Sequence, residues 1–318
     1  MLSFSLLTAA SSKVVGSDHP LEDGRNTSRE IKRGSNPILQ LGFEAWDGKE
    51  DEDFKSQSAE PLFHEADDWQ ILPAGLMYKS YLAGEKEPRF SATWLSEKRR
   101  GLVWETQLGG RVGLIRYGTD DAINPEGWQF DVEGGAQTRV DPNQNSDLEA
   151  ADFRFGFLST WRNGSDAFKT GYHHLSSHLG DEFVIRNPTF PRLNYVRDSV
   201  IVGWTHDLNL DMQVYAESSY ALGHEGGAQP WELQYGFQYS PMHPVWLRGA
   251  PYFGINGHTR EDRGWITGIN TVAGWQWRGT QNNHLFRVGV QYYTGPAIQY
   301  SFVGLNETLL GGGIWFDY

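Results

Sequence analysis

The chain has no cysteine, so neither a disulfide framework nor a thiolate metal site is available to it. Nor does any stretch approach the ~18 consecutive apolar residues that a membrane-crossing helix needs, which excludes a helical membrane protein. Positive charge is scarce: 27 Lys and Arg stand against 40 Asp and Glu, a net charge of −13. That balance argues against nucleic acid as a partner. A phosphate-cradling loop is missing too, because the glycine-rich Gly109–Gly113 is followed by neither a helix nor a Lys-Ser/Thr pair. Glycine and aromatics are plentiful instead. The chain carries 37 Gly, 13 Trp, 14 Tyr and 17 Phe in 318 residues, yet its mean hydropathy is only −0.53. A transmembrane β-barrel produces this pairing naturally: one residue in two faces lipid, the interior is polar, and aromatics form girdles at both interfaces.

The first ten residues, MLSFSLLTAA, read as a short apolar stretch ending in small residues, with Thr8 and Ala10 spaced as at a signal-peptidase site. The cationic start of an export signal is missing, so the expectation is a truncated signal. Residues 1–70 are taken as this remnant plus a flexible polar arm, with one short strand near Ile38 to Phe43 and acidic runs at Lys49–Asp53 and Glu65–Asp68. Residues 71–318 are taken as the barrel.

From about Pro88 onward the pattern is period-2 alternation in long segments separated by turn chemistry. In residues 284–293, Phe286, Val288, Val290 and Tyr292 share one face, opposite Arg287, Gly289, Gln291 and Tyr293. About twelve strands are expected, near 86–97, 103–118, 127–140, 148–163, 166–180, 193–207, 210–222, 231–240, 246–259, 264–278, 284–295 and 308–318. An even count brings both ends of the barrel to the periplasmic side. The last strand places Leu310, Gly312, Ile314, Phe316 and the terminal Tyr318 on one face. It resembles the C-terminal signal of bacterial outer-membrane barrels that the assembly machinery reads. The fold class expected is therefore an all-β, antiparallel, up-and-down transmembrane barrel in the outer membrane of a Gram-negative bacterium, with outer-membrane lipid and the assembly machinery as partners.

The chemistry concentrates in GYHHLSSHLGDEF, residues 171–183. In a strand, Tyr172, His174, Ser176 and His178 form one row and His173, Leu175, Ser177 and Leu179 the other. Phe168 and Tyr172 argue that the first row faces lipid; Leu175 and Leu179 argue the reverse, and a bulge would reconcile them. An imidazole two residues from a hydroxyl on the same face has the reach of a general base on a serine nucleophile. Asp181 or Glu182, folding back from the strand end, would orient the base; Asp198 or Ser199 on the neighbouring strand would serve as well. His178, Ser177, His173 and Arg197 are further candidates for binding. His174 and Ser176 resemble the His-x-Ser arrangement of outer-membrane phospholipase A and the lipid A deacylases, although Ser177 stands where those families have asparagine. That resemblance implies a serine esterase acting on membrane lipid near the outer leaflet. Asp181 or Glu182 would alternatively hold a calcium ion. A metal site from His174, His178, Asp181 and Glu182 is a weaker reading, since four strand residues span ~13 Å and match no helical zinc motif.

Other residues read as luminal. Arg111 and Arg116, five apart, share no row, whereas Arg154 and Arg197 would line the lumen with Glu217 as partner. Together with LNYVRDSVIVGW and YAESSYALG, the histidine segment resembles an uncharacterised bacterial exported family, domain of unknown function 1207, from about residue 60 to the end. That family implies one exported unit and assigns no activity. Two non-catalytic readings stand beside the esterase: a narrow pore or structural barrel with a polar luminal network, and a soluble secreted glycan-binding β-protein.

Overall fold

In a computed structural model, the structure describes residues 67–98, 100–279 and 282–318. The expected export-signal remnant and the strand near residues 38–43 lie outside them. Among the described residues the chain forms thirteen strands: β1 (Asp68–Ile71), β2 (Phe90–Glu97), β3 (Gly101–Gly118), β4 (Gly127–Asp141), β5 (Asp147–Asn163), β6 (Asp166–Leu179), β7 (Tyr195–Asp207), β8 (Met212–Glu225), β9 (Trp231–Tyr239), β10 (Ala250–Arg260), β11 (Ile266–Arg278), β12 (Leu285–Pro296) and β13 (Asn306–Asp317). A short helix, α1 (Asp181–Arg186), follows β6.

Strands β2 to β13 pair antiparallel with their sequence neighbours, and β13 returns to β2 from Leu309↔Glu97 to Phe316↔Phe90. The sheet therefore closes into a twelve-stranded up-and-down barrel without free edges. β1 is an addition. It pairs with β3 from Asp68↔Gly118 to Ile71↔Ile115, beside the stretch of β3 that β2 does not reach. Chain direction defines two mouths. The near mouth carries the start of β2 and the end of β13; the far mouth carries α1 and the β12–β13 loop.

Alternation decides what each strand buries. On β12 the expected outward row Phe286, Val288, Val290 and Tyr292 is exposed, whereas Arg287, Gln291 and Tyr293 are buried. Apolar out and charged in inverts a soluble barrel and is the arrangement of a transmembrane one. Val290, 57% exposed midway along β12, gives a direct test. Val290→Arg is expected to destabilise the protein in lipid bilayers by ~2–4 kcal/mol, and Phe286→Arg near the strand end by under ~1 kcal/mol. Unfolding midpoints in lipid vesicles measure both.

The lumen is filled rather than open. Residues between β1 and β2 enter it and bury Met77, Tyr78, Tyr81, Leu82 and Ala83. A chain inside a barrel has no strand to pair with, so wall side chains satisfy its backbone. Arg111 donates to Tyr78 O (3.1 Å), Asn270 to Ala83 O (2.7 Å), Gln107 to Glu85 O (2.6 Å) and Arg154 to Lys86 O (2.8 Å), while Leu82 N–H donates to Gln238 (2.8 Å). From the far mouth, Tyr300 and Phe302 fold inward and are buried.

Charge fills what remains. Glu133 accepts a hydrogen bond from Arg111 Nε (2.7 Å), pairs with Arg154 (2.6 Å) and lies 2.8 Å from His173 Nε2. Arg139 bridges Glu105 and Glu307. Two sequence expectations need correction. Arg111 and Arg116 both point inward, because the β3–β4 register slips between Gly113 and Ile115 and one extra residue restores the phase. Arg154 and Arg197 do line the lumen, but with Glu133 (2.6 Å) and Glu232 (3.4 Å) as partners. Glu217 pairs instead with Lys169 (2.6 Å) and accepts from Tyr81 (3.1 Å).

Candidate active site on the outer face

β5 and β6 are joined by the tight turn Asn163–Asp166, where Gly164 adopts φ +56°, a left-handed value that glycine reaches without strain. The turn fixes the hairpin register from Asn163↔Asp166 to Ala150↔Leu179 with no slip. β6 therefore keeps one phase throughout. Its inward row is Ala167, Lys169, Gly171, His173, Leu175, Ser177 and Leu179. The two leucines that argued for the opposite facing are accounted for by what fills the lumen. Leu175 packs with Tyr195, Ala228 and Tyr300, and Leu179 with Ala150, Phe183, Ala297 and Phe302.

Tyr172, His174, Ser176 and His178 consequently form the outward row. β7 brings Asp198 directly opposite His174, and β5 brings Phe155 opposite it on the other side. His174 Nδ1 lies 2.8 Å from Asp198 Oδ1. The Tyr172 hydroxyl donates to the same carboxylate oxygen. The Phe155 ring stacks on the imidazole, with centroids 5.0 Å apart and planes 26° from parallel. The imidazole is thus clamped between a ring and a carboxylate. With Nδ1 engaged, Nε2 is the nitrogen left for a neighbour, and the Ser176 hydroxyl has no hydrogen-bond partner among the described residues. A carboxylate on Nδ1 keeps the proton there and leaves Nε2 basic, the tautomer a serine nucleophile requires.

Position along the strand follows from a second outward cluster. At the near end of β6, Asp166 accepts from Trp204 Nε1 (2.8 Å) and meets His206 Nδ1 (2.9 Å). Eight residues separate Asp166 from His174, ~26 Å along a strand and ~20 Å along the axis at a ~40° tilt. An apolar band is ~25 Å tall. Phe168, Val200 and Val202, exposed between the two clusters, supply it here. His174 and Ser176 therefore lie toward the far mouth, ~20 Å along the axis from the Asp166 cluster, and no hydrogen bond joins the two.

The other candidates fall elsewhere. Asp181 and Glu182 form the first turn of α1, where both are exposed. Asp181 lies 3.7 Å from Arg192, and the carboxylate that meets His174 is Asp198. Ser199, the other neighbouring-strand alternative, is buried inside. His173 binds Glu133, Ser177 donates to Asp152 and shares a 2.7 Å hydrogen bond with Ser301, and Arg197 donates to the carbonyls of Gln229 and Pro230. All three are luminal braces. His178 stays outward beside Phe153, at 6.1 Å between rings. His174, His178, Asp181 and Glu182 are not gathered, and among the described residues no three His, Asp or Glu converge as a metal site. Sequence reasoning missed Phe155 and Tyr172 as partners of the site. Phe155 had a signal: a tight turn that pairs Asn163 with Asp166 also sets Phe155 opposite His174 when no residue slips.

Residues 65–318 match a family described as "Protein of unknown function (DUF1207)". The chain belongs to this family. Among solved structures, the DUF1207 barrel is similar to outer membrane phospholipase A from Escherichia coli, at 12% identity and a TM-score of 0.48, covering 72% of this chain and 90% of that one. It is also similar to the Salmonella typhi outer membrane phospholipase dimer with bound calcium, at 13% identity, TM-score 0.47, covering 76% and 92%. A mutant Rh. blastica porin follows, at 12% identity, TM-score 0.32, covering 73% and 99%. No curated protein matches the DUF1207 chain.

Proposed function

We propose that this DUF1207 protein is an acyl-ester hydrolase of the bacterial outer membrane, with Ser176 as nucleophile, His174 as general base and Asp198 as the orienting carboxylate. The observation that carries the reading is the outward pair of His174 and Asp198, 2.8 Å apart, with an unpartnered serine hydroxyl two residues along the same row. Imidazole and carboxylate on a lipid-facing surface are costly, and function is the usual reason a protein keeps them. The contrasting pair His206–Asp166 has Trp204 and Phe168 as its outward neighbours, and the hydroxyl beside Asp166 in sequence, Ser165, belongs to the β5–β6 turn rather than to the outward row of β6; it reads as a girdle contact. With both barrel ends periplasmic, as an even strand count implies, Ser176 meets lipid of the outer leaflet.

The step balances within these three residues. Nε2 of His174 takes the Ser176 proton as Oγ bonds to the ester carbonyl carbon. The imidazolium, stabilised by Asp198, returns that proton to the departing alcohol. Water then reverses the sequence, releasing the fatty acid and restoring Ser176. The calcium reading is not supported by the donors, because Ca2+ takes 6–8 oxygens. Asp198 is already engaged by Tyr172 and His174, and Asp181 faces Arg192. The pore reading is disfavoured by the buried segment and ion pairs that occupy the lumen.

Asp198→Ala is expected to lower kcat on phospholipid in mixed micelles by ~10²-fold or more, the usual contribution of a positioned base, with KM little changed. Unchanged kcat in a folded variant removes Asp198 from the machinery.

A further inference from the structure

Most buried cations of the lumen meet a carboxylate, as Arg111, Arg139, Arg154, Lys169 and Arg287 do. Three cations at the near mouth form no ion pair among the described residues: buried Arg116, which donates to Gln129 and to the carbonyls of Ala74 and Gly75, and the half-buried Lys79 and Arg278. Lys79 and Arg278 line a cavity that opens between the β7–β8 turn, the β9–β10 connection, Asn283 and Tyr318. Lys79 Nζ donates to the neutral Asn124 side chain (2.6 Å). Arg278 donates to Asn283 and to Ser240 Oγ (2.8 Å), and its Nε is buried without a hydrogen-bond partner. Neither forms an ion pair among the described residues.

The acids around this cavity are already occupied. Asp207 is bound by Arg162 and accepts from Gln213 (2.7 Å). Asp317 is held by Arg287 (2.6 Å) and Arg89 (3.3 Å). Asp211 spends Oδ1 on the Met242 N–H (3.0 Å). Lys79 and Arg278 thus share the cavity lining with Asp207 and Asp317, each held by an arginine, and with Asp211. Positive groups sheltered from water and aimed at one cavity form an oxyanion site, since a fixed cation costs desolvation until an anion restores it.

We propose that the near mouth binds a phosphate group between Lys79 and Arg278, as free phosphate or as the headgroup of a phosphorylated lipid. The site lies at the opposite end of the barrel from Ser176 and stands independently of the esterase reading. Lys79 also supplies a pH signature. Burial first, then Arg162 and Arg278, lowers its pKa to about 8, opposed by Asp207 and Asp121. Lys79 is therefore charged at pH 7 and loses its charge as pH rises through that value.

The test is calorimetric titration of the full chain in detergent micelles with inorganic phosphate, dihexanoyl phosphatidic acid and acetate, with folding followed by heat-modifiable gel mobility. Phosphate is expected to bind, acetate at least ~10-fold more weakly, and the Lys79→Gln/Arg278→Gln variant to bind phosphate at least ~10-fold more weakly, the scale of one charge-assisted hydrogen bond. Lys98→Gln, on the β2–β3 turn at the far mouth, is expected to bind as the parent does. Above about pH 8, where inorganic phosphate is already largely dianionic, affinity falls with rising pH in the parent and stays level in Lys79→Gln. Binding of phosphatidic acid alone assigns the site to a lipid headgroup; binding of both assigns it to phosphate itself. The proposal is overturned if the parent binds neither phosphate probe, if acetate binds as well as phosphate, or if the folded double variant binds unchanged.

Discussion

Ser176→Ala is expected to lower ester turnover by ~10³-fold or more, because removing a nucleophile leaves only what binding and polarisation supply. His174→Ala is expected to match it, and the double variant to lose little beyond either single one, since the residues act as a unit. The assay is fatty-acid release from phospholipid and from lipopolysaccharide in mixed micelles, so that the substrate class is read in the same experiment. The fold should survive each change. Ser176 has no hydrogen bond to lose, and the inward neighbours that anchor β6, His173 on Glu133 and Ser177 on Asp152 and Ser301, are untouched. If Ser176→Ala retains parental turnover, the nucleophile assignment fails.

The largest effect on stability is expected at Glu133. This buried carboxylate pairs with Arg111 and Arg154 and lies beside His173, all themselves largely buried. Glu133→Ala would leave two guanidinium groups without their shared anion in a filled lumen. Breaking a buried pair by deleting one partner costs ~3–5 kcal/mol. Denaturant unfolding midpoints of refolded protein measure this. Glu133→Gln keeps the shape and one acceptor while removing the charge, so a loss smaller than that of Glu133→Ala is expected. Parental stability in Glu133→Ala would show that the luminal pairs contribute nothing net. The change also bears on the outer face: His173 and His174 are adjacent on β6, so releasing the inner histidine loosens the strand that carries the outer one.

How much was legible in advance follows from what sets each feature. Period-2 alternation depends on neighbouring residues alone, so the strands from β2 to β13 and the outward row of β12 could be read directly. Register across the β5–β6 hairpin was also within reach, because a tight turn fixes the pairing of every later residue; it would have put Phe155 beside His174. Across β6–β7 the connection is long and contains α1, and nothing local announces that Asp198 rather than Asp181 meets the imidazole. The facing of β6 was ambiguous for a different reason. Leu175 and Leu179 are apolar yet luminal, since the lumen they enter is lined by Tyr300 and Phe302 from a distant loop. The same cause hid the segment between β1 and β2. Its Tyr78, Tyr81 and Leu82 carry no strand period, and only the wall side chains that hold its carbonyls explain where it lies. Arg111 and Arg116 show the limit of counting by twos, because a single register slip at Gly113–Ile115 puts both on one side.

The central claim is that Ser176 is a nucleophile made basic by His174 on a surface that lipid reaches. The measurement closest to it is labelling of the micelle-embedded protein with a long-chain alkylsulfonyl fluoride, followed by peptide mass spectrometry of residues 166–186. The account predicts a sulfonyl adduct on Ser176, absent in Ser176→Ala and strongly slowed in His174→Ala and Asp198→Ala. No adduct on Ser176, or an adduct formed equally fast without His174, would contradict it.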